Sequence, residues 1–176
     1  MIGKKEIIMV TGGQRSGKSL FAEQLTLDRS AEPVYIATAE ARDEEFLDRV
    51  RRHRARRGDN WTTIEAQTEL YRHDVSGRQV LVDCVTMLAT NYFFASGENI
   101  DKALEAIRDD IDRLTAQNAS FVFVTNEIGL GGISGNKLQR AFTDLLGFVN
   151  KYLAEKADTV YFMVSGVPMK IKSSYK

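Results

Sequence analysis

Cysteine and proline are scarce in this chain of 176 residues, which contains one cysteine and two prolines. Because Cys84 has no second cysteine to pair with, no intramolecular disulfide can form, and the fold needs no oxidising compartment. The hydrophobic fraction of 43% and the charged fraction of 27% exclude collagen-like, disulfide-scaffold and wholly disordered chains. The length predicts one compact domain over residues 1–176.

An excess of one charge is also missing, since 24 basic residues balance 24 acidic ones. Without a net positive field we expect no general attraction to nucleic acid or to an anionic membrane. The longest uncharged stretch, Cys84 to Gly97, has 14 residues and includes Thr, Asn and Ser. A transmembrane helix needs about 20 mostly apolar residues, and the apolar run Ile7 to Val10 is too short for a signal-peptide core. We therefore expect a cytoplasmic protein with no membrane span and no nucleic-acid partner.

Short β-branched or aromatic runs alternate with longer amphipathic ones, which predicts an α/β fold with a mainly parallel sheet flanked by helices. Several runs are apolar on consecutive residues, as expected for strands buried on both faces. The predicted strands are Glu6–Thr11, Val34–Thr38, Thr62–Glu65, Gln79–Asp83, Ser120–Thr125 and Thr159–Ser165, with Val167–Lys172 as a possible C-terminal edge strand. The predicted helices are Lys18–Asp28, Asp43–Arg57, Thr86–Ala95, Ile100–Gln117 and Lys137–Lys156.

The strongest motif lies between the first predicted strand and the first predicted helix. It has the pattern G-x-x-x-x-G-K-S and consists of Gly12, Gly13, Gln14, Arg15, Ser16, Gly17, Lys18 and Ser19. Its glycines allow successive backbone N–H groups to point at phosphate oxygens, and the helix N-terminus adds partial positive charge. In such a P-loop, Lys18 neutralises the β and γ oxygens and the Ser19 hydroxyl binds Mg²⁺. The motif predicts a P-loop nucleoside triphosphatase fold and a bound nucleotide.

An acid at the end of a neighbouring buried strand is the second part that this chemistry needs. Asp83 follows three consecutive apolar residues and is the candidate for the magnesium shell. The alternative reading of Asp83 is a helix cap. The glycine-rich segment from Gly129 to Gly135 is a candidate lid or substrate loop, and a simple connection is the alternative.

Six arginines surround a histidine between residues 49 and 57. Phe46, Val50 and His53 are spaced four and three apart, so on a helix the imidazole continues an apolar face. A solvated basic face is the plain reading of this pattern, and a nucleic-acid patch is a weaker one. The chemical reading is that His53 attacks a nucleotide phosphorus, because neighbouring guanidinium groups keep an imidazole neutral.

The sequence resembles the bifunctional adenosylcobinamide kinase / adenosylcobinamide-phosphate guanylyltransferase family over nearly the whole chain. The matching strings include the P-loop, the run from Tyr35 to Ala39, His53 followed by Trp61, and V-T-N-E-I-G-L-G from Val124 to Gly131. The resemblance implies a RecA-like sheet, a homotrimer, Mg²⁺, GTP and ATP as substrates, and adenosylcobinamide, a corrinoid, as the acceptor.

The same resemblance implies the roles of particular residues. His53 corresponds to the histidine that carries the guanylyl group, with Lys18 and Asp83 as the other catalytic residues. Ser19 and Asp83 correspond to the metal ligands. Besides the P-loop residues and Asp83, the residues expected to contact the nucleotide are Ala37, Thr38, Ala39, Arg54, Ala55, Arg56, Arg57 and Glu65.

Together with the P-loop, Asp83 and His53, the resemblance implies two reactions on one site, phosphorylation of adenosylcobinamide and then transfer of GMP from GTP through a guanylyl-histidine. Two alternatives stay open from the residues themselves. One is a P-loop small-molecule kinase that forms no histidine adduct. The other is a RecA-like ATPase subunit or binding module that uses the arginine segment to contact a partner.

Overall fold

A computed structural model describes residues 5–39 and 60–173 of the chain. The described strands are β1 (Ile7–Gly12), β2 (Val34–Ala37), β3 (Thr62–Glu65), β4 (Gln79–Asp83), β5 (Ser120–Val124), β6 (Thr159–Val164) and β7 (Val167–Ser173). The described α-helices are α1 (Lys18–Leu27), α2 (Val85–Ala95), α3 (Ile100–Ala116) and α4 (Lys137–Lys156). Two short 3-10 helices span Leu70–Arg72 and Gly129–Gly131.

All seven strands form one sheet in the order β3-β2-β4-β5-β1-β6-β7. The pairs from β3 to β6 are parallel, and only β7 runs antiparallel to its neighbour β6. Strand β5 therefore lies between β1, which leads into the P-loop, and β4, which ends in Asp83. The ends of these three strands lie side by side at the carboxyl edge, where ligands of open parallel sheets bind.

Helices cover both faces of the sheet, which explains why the central strands are apolar on consecutive residues. On one face, Ile8 and Val10 of β1 join a buried cluster with α1. On the other face, Met9 of the same strand joins a larger cluster with α2, α3 and α4. Along α3, Ile107, Ile111 and Leu114 are spaced four and three residues apart, and all three are fully buried.

The predicted fold class is confirmed. Every predicted helix or strand that falls within the described residues is present. The predicted edge strand at the C-terminus is confirmed as β7, and Pro168 lies in this edge strand, where a missing N–H is tolerated. Element ends differ by one residue at several places; for example, Gln117 has ψ 154° and ends α3 one residue early. The predicted helix Asp43–Arg57 lies outside the described residues.

Local signals account for where two helices begin. The Asn99 side chain accepts a hydrogen bond from the Lys102 N–H, and Asn136 does the same for Gln139. These amide caps satisfy N–H groups that the first helical turn leaves without a carbonyl partner. Among the described residues, no helix is long and apolar enough to cross a membrane.

Candidate nucleotide site

The P-loop is a curled turn between the end of β1 and the start of α1. Gly17 precedes the helix with φ 89°, and Arg15 has φ 56°, so two residues of the loop are left-handed. The N–H of Gly166, in the turn between β6 and β7, donates to the carbonyl of Ser16 at 3.0 Å and holds the loop from outside. No side chain caps the N-terminus of α1, so its first N–H groups are available to an anion.

Gly12 has a requirement of its own, because the backbone of β6 passes close beside it. A Cβ added at Gly12 would lie 2.5 Å from the carbonyl oxygen of Met163 and 3.0 Å from Ser16 Oγ. A Cβ at Gly13 would meet nothing within 4 Å. Close backbone approach is therefore the reason for glycine at position 12, while position 13 is open towards a ligand.

Lys18 is folded back over the loop and is only 7% exposed. Its Nζ donates to the carbonyl oxygen of Gly13 and, at 3.4 Å, to Ser16 Oγ. Burial lowers the pKa of Lys18, and the neighbouring Cys84 and Asp83 oppose that shift. Burial removes water from around this ammonium group. Phosphate oxygens bound in the loop would take the place of that water and stabilise the positive charge.

Asp83 ends β4 at the same edge and is half-buried. Its Oδ2 accepts a hydrogen bond of 3.0 Å from the Tyr35 hydroxyl, and the Tyr35 ring packs edge-on against Trp61. The residue that precedes α2 is Cys84, and α2 has no side-chain cap, so Asp83 does not cap this helix. The contact with Tyr35 leaves Oδ1 of Asp83 available to another ligand.

The described residues provide oxygen donors of the kind that Mg²⁺ prefers. Ser19 lies in the first turn of α1. Asp83 is close enough to Lys18 for its charge to oppose the lowering of the Lys18 pKa by burial. Among the described residues there is no group of three or more His, Cys, Asp or Glu side chains that could hold a metal. Mg²⁺ bound to phosphates, water, one hydroxyl and one carboxylate needs no such group, so Ser19 and Asp83 fit the ion.

The other residues predicted to contact the nucleotide lie at or near the ends of neighbouring strands. Ala37 is paired in register with both Asp83 and Glu65, so β2, β3 and β4 bring these residues to one edge. Thr38 is fully buried, and its hydroxyl both donates to the carbonyl of Cys84 at 2.7 Å and accepts from its N–H at 2.8 Å. The Thr38 side chain thus ties β2 to the start of α2. Ala39 is described beside it, whereas His53, Arg54, Ala55, Arg56 and Arg57 lie outside the described residues.

Sequence reasoning gave no role to the polar residues after β5. The Thr125 hydroxyl donates to Asn150 Oδ1 at 2.7 Å, and Asn150 Nδ2 donates to the carbonyl of Asn126 at 2.9 Å. The Asn126 N–H in turn donates to Thr86 Oγ1 at 2.9 Å. The Glu127 N–H donates to the carbonyl of Gly12 at 3.0 Å. The signal for this network was a polar T-N-E run directly after a buried strand at a ligand-binding edge.

A P-loop joined to a RecA-like sheet, with an acid on the strand two places away, defines a P-loop nucleotide-binding protein. The fold matches that of an ATPase from the type III secretion system of pathogenic bacteria, with a TM-score of 0.53 and 15% identity. That comparison covers 90% of this chain and 51% of the other.

Comparison with protein families gives the particular family. Residues 8–171 match the model of the family described as cobinamide kinase / cobinamide phosphate guanyltransferase. The chain is 40% identical to the bifunctional adenosylcobalamin biosynthesis protein CobU of Escherichia coli K12, over 94% of this chain and 99% of that protein. It is 36% identical to the corresponding protein CobP of Pseudomonas aeruginosa, over 93% and 96% of the two chains. The chain therefore belongs to the cobinamide kinase / cobinamide phosphate guanyltransferase family, and the predicted family is confirmed.

Proposed function

We propose that this protein phosphorylates adenosylcobinamide with a nucleoside triphosphate and then transfers GMP from GTP to the product, giving adenosylcobinamide-GDP. The observation that carries the proposal is the buried Lys18 in a P-loop beside Asp83, in a chain that belongs to this family.

In the first reaction, the aminopropanol hydroxyl of adenosylcobinamide attacks the γ-phosphorus of ATP or GTP. The loop amides and Lys18 hold the phosphate chain and stabilise the charge that develops on its oxygens. Ser19 and Asp83 hold Mg²⁺, which neutralises the β and γ oxygens when it is bound. Ala37, Thr38, Ala39 and Glu65 contribute to the nucleotide site at the ends of β2 and β3.

In the second reaction, an imidazole nitrogen of His53 attacks the α-phosphorus of GTP, and pyrophosphate leaves. The phosphate of the first product then attacks the same phosphorus and releases the imidazole. Splitting the transfer in this way replaces one encounter of two polyanions by two simpler displacements. The guanidinium groups of Arg54, Arg56 and Arg57 would neutralise the triphosphate and the departing pyrophosphate.

A homotrimer is the assembly that the family resemblance implies, and one edge of the sheet supports association with another chain. Among the described strands β7 is paired with β6 alone, and it exposes three apolar side chains, Val167, Met169 and Ile171, to between 52% and 60%. Such a strand presents both apolar surface and unpaired backbone groups to a partner. A cytoplasmic location and the absence of a nucleic-acid partner stay predictions from the sequence.

The covalent step is tested by incubating the protein with Mg²⁺ and GTP labelled at the α-phosphorus. We expect protein-bound label that is stable in base and labile in acid, as for a phosphoramidate. His53→Ala should remove the label, and His73→Ala is the matched control because His73 is the other histidine of the chain. We expect His73→Ala to keep the label.

The alternatives give different results in the same assays. A P-loop kinase without the adduct would phosphorylate adenosylcobinamide equally well in the wild type and in His53→Ala, with no label in either protein. A RecA-like ATPase subunit would hydrolyse nucleotide steadily whether or not a corrinoid is present, and it would also take up no label from GTP. Either result would exclude guanylyl transfer through His53.

A further inference from the structure

Glu127 occupies a place in the site that no role so far explains. It follows β5, the strand that lies between the P-loop strand β1 and the acid-bearing strand β4. In the register of the sheet, Val124 at the end of β5 is paired with both Val10 and Asp83. The residues just beyond Val124 therefore reach the carboxyl edge between the P-loop and Asp83.

The backbone at Glu127 is fixed to the P-loop and to its neighbours. The N–H of Glu127 donates to the carbonyl of Gly12 at 3.0 Å. The preceding peptide groups are held by Thr86 and by the buried Asn150, through bonds of 2.9 Å each. Anchored peptide groups on both sides of Asn126 restrict where the Glu127 side chain can start.

The Glu127 carboxylate is only weakly engaged by the protein itself. The side chain is half-buried, and Oε1 accepts one long hydrogen bond of 3.4 Å from the Gly129 N–H. Within residues 5–39 and 60–173, no ion pair to Glu127 is present. A carboxylate that accepts one long hydrogen bond and has no ion pair within the described residues is able to accept a proton from a ligand.

Two other carboxylates end described strands at this edge, and strand spacing separates their positions. Neighbouring strands lie about 5 Å apart, so β4 with Asp83 is about 10 Å from β1, and β3 with Glu65 is about 19 Å away. Asp83 also accepts the Tyr35 hydroxyl and is the candidate magnesium ligand. Glu127 lies on the strand next to β1, and its backbone contacts the first residue of the P-loop motif.

We infer that Glu127 is the general base of the phosphorylation step and that its carboxylate takes the proton of the substrate hydroxyl. The inference rests on the proposed kinase activity. As the oxygen of the alcohol forms its bond to the γ-phosphorus, its O–H bond breaks and the proton passes to Glu127. The bond between the γ-phosphorus and the bridging oxygen breaks, and the nucleoside diphosphate leaves with that electron pair.

The base acts in only one of the two reactions. The acceptor in the first is an alcohol, whose oxygen must lose a proton on becoming a phosphate ester. The acceptor in the second is a phosphate monoester, which is already ionised near neutral pH. Loss of the carboxylate should therefore separate the two activities within one protein.

The test measures both reactions with the full chain carrying Glu127→Gln. We expect the rate of adenosylcobinamide phosphorylation to fall at least about 100-fold, as for loss of a general base. Guanylyl transfer to preformed adenosylcobinamide phosphate should keep its rate, which also shows that the variant is folded. Glu127→Asp should restore part of the kinase rate because it keeps a carboxylate.

A matched control completes the test. The control Glu105→Gln makes the same change on an exposed position of α3 and should leave both reactions as in the wild type. A kinase rate of Glu127→Gln close to the wild-type rate would overturn the inference, and so would an equal loss of both reactions.

The failure of this inference can be told apart from failure of the proposed function. If the wild type phosphorylates no adenosylcobinamide, the proposed kinase activity is wrong and the assignment of Glu127 is lost with it. If the wild type is active and Glu127→Gln is equally active, the kinase activity stands and only the base is wrong.

Discussion

At the scale of the residue, Lys18 shows how a binding group is kept in an environment that does not favour its charge. Its ammonium is nearly buried, and burial lowers its pKa despite the nearby Asp83. The unfolded chain therefore binds this proton more tightly than the folded chain does. Between the lowered pKa and the model value of 10.5, this group makes the folded state more stable as pH rises.

Lys18→Met tests this balance, since it keeps most of the side-chain length and removes the charge. We expect the variant without nucleotide to melt no lower than the wild type at neutral pH. The rise in Tm caused by GTP and Mg²⁺ should be lost, because the loss of a charge-assisted contact of about 1.5–3 kcal/mol weakens binding at least about tenfold. Lys151→Met, at an exposed position of α4, is the control that should keep the rise. An undiminished nucleotide-induced rise in Lys18→Met would contradict the role of this residue.

Residues of the site differ in how readily the sequence predicts them. The P-loop was predictable because its eight residues are consecutive and their flanks, a strand and a helix, can be read locally. Asp83 was predictable because a buried strand ends at it. Glu127 was not, because its position depends on β5 lying between β1 and β4, which is a property of the whole sheet.

At the scale of the element, a buried carboxylate connects three segments around the connection from β3 to β4. Asp110 of α3 is 1% exposed and accepts hydrogen bonds from the Tyr71 N–H at 3.1 Å and the Tyr92 hydroxyl at 2.9 Å. It thereby joins α3 to the 3-10 helix Leu70–Arg72 and to α2. Burial raises the pKa of Asp110, and the hydrogen bonds from these partners oppose the rise only in part.

Asp112, two residues further along the same helix, has a pKa shift of the opposite sign. Partial burial alone would raise the pKa of Asp112, but hydrogen bonds from Lys156 and Tyr152 lower it overall. Two aspartates two residues apart therefore affect stability with opposite signs. Below pH 3.8, Asp110 contributes stability, and this contribution is lost as the pH rises through the raised pKa of Asp110. Above pH 3.8, Asp112 contributes stability, and this contribution is lost as the pH falls through the lowered pKa of Asp112.

The two substitutions Asp110→Asn and Asp112→Asn should separate these effects. Above 3.8, the free energy of unfolding of Asp110→Asn should rise with pH relative to that of the wild type. Below 3.8, that of Asp112→Asn should rise relative to the wild type as pH falls. Urea unfolding between pH 3 and pH 7 measures both differences, and the slopes are compared because the substitutions also change hydrogen bonding. Differences that do not vary with pH in either variant would contradict the predicted shifts.

The helices and strands themselves were largely predictable, because the spacing of hydrophobic residues and the presence of helix-capping residues can be read from a short stretch of sequence. The prediction of β3 rested on four residues, and within the described part of the chain this strand pairs with one neighbour, β2. The sequence could not predict the order of the strands, since any of the apolar runs is compatible with a place in the middle of a parallel sheet. Side-chain packing between distant segments decides that order.

At the scale of the whole molecule, the two buried clusters share the same strands. Alternate residues of β1 and β4 point to opposite faces, so Val10 and Leu81 pack with α1 while Met9 and Val82 pack with the other helices. Neither cluster can lose its helices without exposing one face of every central strand. The prediction of one domain rests on the chain length, and the shared strands are a physical reason to expect it.

If the prediction of one domain holds, the chain should unfold in one cooperative step. Trp61, the one tryptophan, packs against Tyr35 in the cluster with α1, while most of the described helical residues belong to α2, α3 and α4 on the opposite face. Tryptophan fluorescence and far-UV circular dichroism therefore report on different faces of the sheet. We expect the two signals to have the same urea midpoint at a fixed protein concentration, which is held constant because association would shift it.

Matched substitutions on the two faces make the test sharper. Leu81→Ala removes a fully buried side chain from the cluster with α1, and Leu114→Ala removes one from the opposite cluster. Each should cost about 2–5 kcal/mol and move both signals together, because the sheet transmits the loss to both layers. A Leu81→Ala variant whose fluorescence midpoint falls while its circular dichroism midpoint stays would show two units that unfold independently. In that case the nucleotide site, which takes residues from β1, β4 and β5, would depend on one layer more than on the other.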